Sequence, residues 1–131
     1  MKDMQNAKKS LEGFLKLYFN QNHKNTDGVK DNLLSYISND SKENLTPTID
    51  KSINEVKEQE GFLELKDTNF RLIDYKSYEN TYAFMVDVIY NTSNNETIRV
   101  PYEYSLNYEE GSWKIKQIRK MGYNFIASQN K

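Results

Sequence analysis

The sequence contains no cysteine, one histidine, two prolines and five scattered glycines in 131 residues. Without cysteine the chain can form neither a disulfide framework nor a thiolate metal site. The only histidine, His23, lies in a polar stretch without a second histidine or a carboxylate pair, which gives no basis for a histidine metal site or a catalytic triad. The glycines form no phosphate-binding loop. We therefore predict no metal and no cofactor.

An excess of charge and a long apolar run are also missing. The chain has 18 basic and 19 acidic residues, a formal net charge of −1. Nucleic acid is therefore not an expected partner, because binding phosphates requires a concentrated basic face. The one local basic cluster lies near the end, at Lys114, Lys116, Arg119 and Lys120. No segment approaches the roughly 20 consecutive apolar residues of a membrane span, and residues 1–9 lack the apolar core of a signal peptide.

The strongest positive signal is the alternation of apolar and polar residues between positions 81 and 120. It predicts three β-strands, separated by turns rich in Asn, Ser and Gly. The same period predicts an earlier strand with a bend at Asp67 and Thr68. The predicted strands span residues 62–78, 81–91, 96–107 and 112–120. In the second of them, one face is the more apolar and is predicted to lie in the core: Tyr82, Phe84, Val86, Val88 and Tyr90.

Two predicted strands contain irregular positions. Pro101 cannot donate a ladder hydrogen bond, so it indicates a sheet edge or a bulge. Ile118 is one residue out of phase with Trp113 and Ile115, as a bulge would make it. Three side chains of the tail are expected to cover an open end of the core: Tyr123, Phe125 and Ile126.

Before the sheet, apolar residues at spacings of three and four predict three helices. The predicted helices span residues 4–20, 27–38 and 47–60. Asp3 is the predicted N-cap of the first helix, in which Gly13 is expected to let a neighbour approach closely. Thr46 and Pro47 are predicted to begin the third helix, as N-cap and first helical residue. Gly61 is predicted to end it in a left-handed conformation.

Three helices followed by a curved antiparallel sheet of about four strands define an α+β fold. A helix layer that covers the apolar face of one sheet is a stable arrangement. The length is that of one domain, and we predict a single domain over residues 1–131.

Asp87 is the one candidate for a catalytic residue, because it interrupts an otherwise apolar strand. If its face lined an internal cup, burial would raise the carboxyl pKa and the group could act as a base. If its face were the outer one, Asp87 would be solvated or paired across the strand with Arg99. The opposite face, with Phe84 and Val86, is more apolar and should form the core. We therefore favour the outer position and predict that the chain is not an enzyme.

Tyrosine is abundant in the predicted sheet, and tyrosine is enriched at protein interfaces. Most of these residues are explained by the suitability of tyrosine for a half-buried sheet. A few exposed tyrosines beside Arg99 and Glu103 would form a protein-contact patch. The sheet tyrosines are Tyr75, Tyr78, Tyr82, Tyr90, Tyr102, Tyr104 and Tyr108.

The pattern FLKLYF on the first helix, the late hairpins and the run Gly111-Ser112-Trp113-Lys114-Ile115 followed by Ile118 together resemble the nuclear-transport-factor-two-like superfamily. Its members wrap a bent antiparallel sheet around a long N-terminal helix, which makes a cone. The resemblance covers roughly residues 4 to 120 and implies a cone-shaped version of the predicted α+β fold.

Within that superfamily the chain is most similar to the TcpC-type conjugation proteins, Gram-positive relatives of the VirB8-type scaffold proteins of type IV secretion systems. The features that carry this resemblance are Phe14, Leu15, Tyr18 and Phe19 on the first helix, the Lys/Asn-rich loops and the absence of an obvious catalytic set. It implies a non-enzymatic assembly domain of a conjugative secretion system that acts through protein–protein contacts.

The same resemblance implies other secretion-channel proteins as partners, and copies of the chain itself, as a trimer. It also implies a membrane anchor before the domain, so we expect an extracytoplasmic domain held by a segment that is not in this chain. Two alternatives stay open at this point. One is a cone-fold ligand-binding protein or enzyme with Asp87 in an internal pocket, and the other is a secreted or lipid-anchored protein of another role.

Overall fold

The computed structural model describes residues 2–76, 79–122 and 124–128, with the side chains of Lys2 and of residues 124–128 left aside. Within these ranges, three α-helices and a short 3-10 turn accompany one antiparallel sheet of six strands. The helices are α1 (Lys2–Tyr18), α2 (Val29–Leu34) and α3 (Lys42–Glu58), and the 3-10 turn is Asn39–Ser41. The strands are β1 (Gln21–Asn22), β2 (Phe62–Lys76), β3 (Thr81–Thr92), β4 (Glu96–Glu109), β5 (Ser112–Lys120) and β6 (Asn124–Ser128).

The strand order is β1-β2-β3-β4-β5, and β6 pairs with the start of β4. Shifts in pairing register mark bulges at Lys66 and Ile73 in β2 and at Lys116 in β5. A bulge bends its strand and increases the local twist, so the sheet curls into a half-barrel. The bulge at Lys116 is the one that the phase of Ile118 predicted, and the bend predicted at Asp67 lies at the first bulge of β2.

Pro101 lies where β4 changes partners. Its carbonyl oxygen accepts a hydrogen bond from the backbone N–H of Met121 at 2.9 Å. The nitrogen and the carbonyl of one strand residue point to the same side, so the proline nitrogen points to that side too. That position falls between the end of β5 at Lys120 and the start of β6 at Asn124. The residue that cannot donate therefore lies at a break in the ladder.

The core lies between α1 and the concave face of the sheet. The face of β3 that was predicted to be buried is confirmed, with Phe84, Val86 and Val88 at most 2% exposed. The largest side chains buried against it come from all parts of the chain: Leu11, Phe14, Leu15, Phe19, Leu33, Ile37, Ile49, Tyr104, Leu106 and Ile115. Gly13 permits one close contact, because a Cβ there would lie 2.9 Å from the ring of Tyr36. None of the helices in the described ranges is long and apolar enough to cross a membrane.

The start of α3 differs from the prediction. The 3-10 turn at Asn39–Ser41 was expected to end the second helix, but it leads directly into α3 at Lys42. Pro47 therefore lies inside α3, and the hydroxyl of Thr46 donates to the carbonyl oxygen of Lys42 at 2.6 Å instead of capping the helix. In α1, Asp3 likewise lies in the first turn and is not the N-cap.

The second helix is shorter than predicted because the chain after it pairs with the sheet. α2 follows Gly28, whose φ of 77° is left-handed, and ends at Leu34. The N–H of Ser38 then donates to the carbonyl oxygen of Ile115, and the N–H of Ile115 donates to that of Tyr36, each at 2.8 Å. The N–H groups of Ser35, Tyr36 and Ile37 still donate to carbonyl oxygens three or four residues earlier, so the bonds with β5 replace helical bonds only at the carbonyl of Tyr36 and the N–H of Ser38.

The left-handed residue after α3 is Glu60, with φ of 48°, and not Gly61 as predicted. α3 ends at Glu58, two residues earlier than predicted, so the left-handed residue that follows it also comes earlier. The N–H of Gly61 donates to the carbonyl oxygen of Val56 at 3.0 Å, which is the outer bond of a Schellman motif. The missing side chain of Gly61 leaves room for the hydroxyl of Ser93.

The sequence pattern missed two strands, β1 and β6. β1 has two polar residues, Gln21 and Asn22, and shows no alternation; it forms because the end of α1 returns beside Phe62 and Leu63. β6 pairs with residues 96–99 of β4. The end of the first predicted strand, at residues 77 and 78, and the predicted cap by Tyr123 fall outside the described residues, as do the side chains of Phe125 and Ile126.

We expect Glu60→Gly to raise the free energy of unfolding by about 1 kcal/mol. A left-handed backbone costs a residue with a side chain roughly 1–2 kcal/mol, and the change also removes a negative charge at a helix C-terminus. The matched control is Glu58→Gly, which puts glycine inside the last turn and should lower the free energy by about 1 kcal/mol. Urea denaturation of both variants measures the difference, and a destabilised Glu60→Gly protein would contradict the assignment of the turn.

Candidate functional site

Asp87 lies on the outer face of the sheet. One of its carboxylate oxygens is 2.9 Å from the guanidinium of Arg99, and the Asp87 side chain is 19% exposed. The interpretation that placed Asp87 outside and paired across the strand is therefore confirmed. The alternative with Asp87 in an internal pocket is wrong, because the opposite face of β3, with Phe84 and Val86, lies on the concave side of the sheet.

Paired charges continue along this outer face. The guanidinium of Arg119 is 2.7 Å from a carboxylate oxygen of Glu103. The ammonium of Lys114 donates to the carbonyl oxygen of Ser35 at 2.6 Å. Two of the four basic residues near the end of the chain, Lys114 and Arg119, thus have partners in the structure.

A cleft of about 520 Å³ opens between α3 and the concave face of the sheet, beyond the end of α1. The α3 wall is formed by Leu45, Ile49, Ser52 and Val56, and the sheet wall by Tyr90, Ile98, Tyr102, Tyr104 and Ile118. Phe14, Tyr18 and Phe19 form the floor. Lys51 and Glu55, whose charged groups are 4.0 Å apart, also line the cleft and bring both signs of charge to it.

Aromatic rings hold the lining of the cleft in one connected cluster. The ring of Phe19 lies 4.8 Å from that of Tyr18, 4.9 Å from that of Tyr90 and 6.0 Å from that of Tyr102, measured between centroids. Tyr102 in turn lies 5.5 Å from Tyr104. Such ring pairs add roughly 0.5–1.5 kcal/mol each beyond the area they bury, so the lining is held in a defined arrangement.

Burial raises the pKa of all four tyrosines that line the cleft. Full burial puts the pKa of Tyr104 well above its ordinary value. Desolvation is also the main cause of the raised pKa at Tyr102, Tyr90 and Tyr18. At neutral pH these phenols are uncharged. They can orient a bound group through hydrogen bonds, but they do not supply a base.

Gln21 connects two residues that line the cleft, Tyr18 and Ser52. It is 3% exposed, and its Nε2 donates to the carbonyl oxygen of Tyr18 and to the hydroxyl of Ser52, both at 3.0 Å. Ser52 also bonds to the hydroxyl of Tyr18. One buried amide thus joins the end of α1 to α3. Among the side chains that the structure describes, no group of three His, Asp or Glu is placed to hold a metal ion.

The helix layer, the curled antiparallel sheet and the cleft at its open end define the cone-shaped α+β fold that the sequence predicted, with six strands in place of about four. The same fold occurs in two solved VirB8 proteins. CagV, a VirB8 homologue of the type IV secretion system from Helicobacter pylori strain 26695, aligns with a TM-score of 0.62 and 12% identity over 88% of this chain and 93% of its own. Agrobacterium tumefaciens VirB8 aligns with a TM-score of 0.58 and 8% identity over 97% of this chain and 96% of its own.

No protein-family model matches the sequence, and no curated protein matches it. The two structural alignments confirm the predicted similarity to VirB8-type proteins at the level of the fold. The narrower resemblance to the TcpC-type proteins of Gram-positive bacteria stays a prediction.

We expect Tyr104→Phe to flatten the loss of stability above pH 10. The folded pKa of Tyr104 is raised, so between pH 10 and that pKa the unfolded chain releases a proton that the folded chain retains. The free energy of unfolding should therefore fall with rising pH, by about 1.4 kcal/mol per pH unit for each such group. Tyr104→Phe should remove one such contribution. The control is Tyr108→Phe, at a half-exposed position; equal slopes in the two variants, measured by urea denaturation from pH 9.5 to 11.5, would contradict the burial of Tyr104.

Proposed function

We propose that this chain is a non-enzymatic assembly domain of a conjugative type IV secretion system that acts through protein–protein contacts outside the cell membrane. The observation that carries the proposal is the fold shared with two VirB8 proteins over 88% and 97% of the chain. The length of the match matters, because the whole domain and not a common substructure corresponds.

The chemistry of the surface supports a role in assembly. The one carboxylate that interrupts the apolar strand, Asp87, is paired on the outer face, and the tyrosines of the cleft are neutral. The paired charges of the outer face are suited to contacts with other proteins, in which charges set specificity and orientation. Other proteins of the secretion channel are the proposed partners, together with further copies of the chain.

The location is also part of the proposal. The family resemblance implies a membrane anchor before this domain, so we propose that the chain lies on the extracytoplasmic side of a Gram-positive cell membrane. It further implies assemblies of three copies.

Deletion of the gene in its host is expected to reduce conjugative transfer to background, because an assembly domain is required for a continuous channel. Transfer frequency between marked donor and recipient strains measures this. Complementation with the wild-type gene should restore transfer, whereas complementation with Leu106→Asp, which places a charge in the fully buried core, should not. Unchanged transfer in the deletion strain would refute the proposed role.

The cleft supports a second candidate function, the binding of a small apolar ligand. Its volume of about 520 Å³ is within the range of ligand sites, and its neutral phenols could orient a ligand that carries a hydroxyl or carbonyl group. Asp87 has no part in this candidate.

We expect hydrophobic fragments that carry a hydroxyl group to bind in the cleft if this second function holds. Ligand-detected NMR with such a fragment set measures binding. Ser52→Trp should abolish it by filling the space between α3 and Tyr18, whereas Ser35→Trp, at the exposed end of α2, is the matched control and should leave it intact. Equal binding by both variants, or no binding by the wild-type chain, would exclude the cleft as a ligand site.

A further inference from the structure

The sheet has a long open edge along β2. β1 pairs only with Phe62 and Leu63, and within the described ranges no other strand pairs with the outer side of β2, which continues to Lys76. Two outward N–H groups are bonded locally: that of Leu65 donates to the side-chain oxygen of Asn20, and that of Thr68 donates to the side-chain oxygen of Asp67. Beyond Thr68, none of the strands in the described ranges covers this edge.

The backbone groups along this open part belong to apolar residues. Leu65 and Thr68 point their N–H groups outward, so the alternation of the strand and the bulge at Ile73 put those of Phe70, Leu72 and Tyr75 on the same edge. Leu72, Ile73 and Tyr75 are 46%, 47% and 45% exposed. An exposed apolar edge is a template for pairing with another strand.

We propose that residues 69–76 of β2 pair, in antiparallel orientation, with the same residues of a second copy of this chain. A two-fold axis at Leu72 would join the two sheets edge to edge. The register pairs Arg71 with Asp74, Phe70 with Tyr75, and Asn69 with Lys76. It puts the outward backbone groups of the two Leu72 residues opposite each other, because the bulge residue Ile73 turns its backbone groups toward β3. The edge is then occupied by a partner whose charges and apolar groups match it.

The bulge at Ile73 makes this register consistent with the faces of the sheet. Arg71 and Asp74 are three residues apart and would point to opposite faces of a regular strand. The extra residue between them puts both on the outer face, as their pairing with β3 shows. The same shift puts Phe70 and Tyr75 together on the concave face. Each copy therefore offers an arginine where the other offers an aspartate, and an aromatic ring where the other offers one.

Charge also selects the orientation. A parallel, in-register pairing would put Arg71 opposite Arg71 and Asp74 opposite Asp74, and like charges directly opposite each other destabilise a sheet. The antiparallel register puts two opposite-charge pairs around the axis. The pairing depends only on the surface of the chain and not on the proposed role in secretion.

A two-fold pairing closes at two copies, whereas the family resemblance implies three.

Sedimentation of the full chain over a range of concentrations tests the proposal. A single strand pairing buries less than the roughly 1,600 Å² of a standard interface, so we expect a weak monomer–dimer equilibrium that is seen at high protein concentration. Arg71→Asp or Asp74→Arg alone should weaken association about tenfold or more, because each puts like charges opposite. The double variant with both reversals should restore it. Lys57→Asp, at an exposed position of α3, makes the same change in net charge as Arg71→Asp and should have no effect.

Spin labels give the register directly, because the chain has no native cysteine to interfere. In the proposed dimer, labels on Ile73→Cys lie next to the axis on both strands and are therefore close together. Labels on Asn69→Cys are offset by seven residues, on the order of 20 Å along the strand. Circular dichroism checks that each variant is folded. A monomer at all concentrations, a trimer, failure of the double reversal to restore association, or short distances at both labels would overturn the proposal.

Discussion

The structure depends on how α1 packs inside a sheet that is curved enough to enclose it. A flat antiparallel sheet would touch the helix along one line, and the side chains of its outer strands would remain in water. The bulges at Lys66, Ile73 and Lys116 bend β2 and β5, so residues from several strands reach the helix. Phe14 in α1 accordingly packs against Tyr104 in β4, with ring centroids 6.2 Å apart. The long hairpins supply the strands and the bulges bend them, so that together they bury α1.

The cleft is a consequence of the same packing. α1 ends at Tyr18 while the sheet continues, so the concave face beyond the helix has to be covered by something else. α3 covers it only in part, and four tyrosines are among the residues that line the remaining space: Tyr18, Tyr90, Tyr102 and Tyr104. This accounts for the raised tyrosine pKa values without any catalytic purpose, because the groups are desolvated by their position at the end of the core.

The parts of the fold that could be predicted are those whose signal is local. The alternation in β3 shows directly which side is buried, and the phase change at Ile118 reveals a bulge, because both are properties of a single strand. The start of α3, the end of α2 and the two strands β1 and β6 depend on bonds to distant residues. The hydrogen bond between Ser38 and Ile115 is an example, since no pattern in the sequence of residues 35–38 predicts it. The cleft was missed for a related reason: a tyrosine in a filled core and a tyrosine at an opening follow the same alternation.

The VirB8 proteins share the fold of this chain but few of its side chains. At 12% and 8% identity the shared fold cannot depend on shared side chains at most positions, so the common property is the shape of the enclosed helix and its curved sheet. In the proposed assembly role, partner specificity would then come from the parts of the surface that the fold leaves free to vary. The outer face and the open edge of β2 are such parts, because neither is required to enclose α1. In this chain the bulge at Ile73 has two effects. It contributes to the curvature that the core requires, and it puts Arg71 and Asp74 on one face of the open edge. A constraint of folding thereby determines which chemistry the edge presents to another chain.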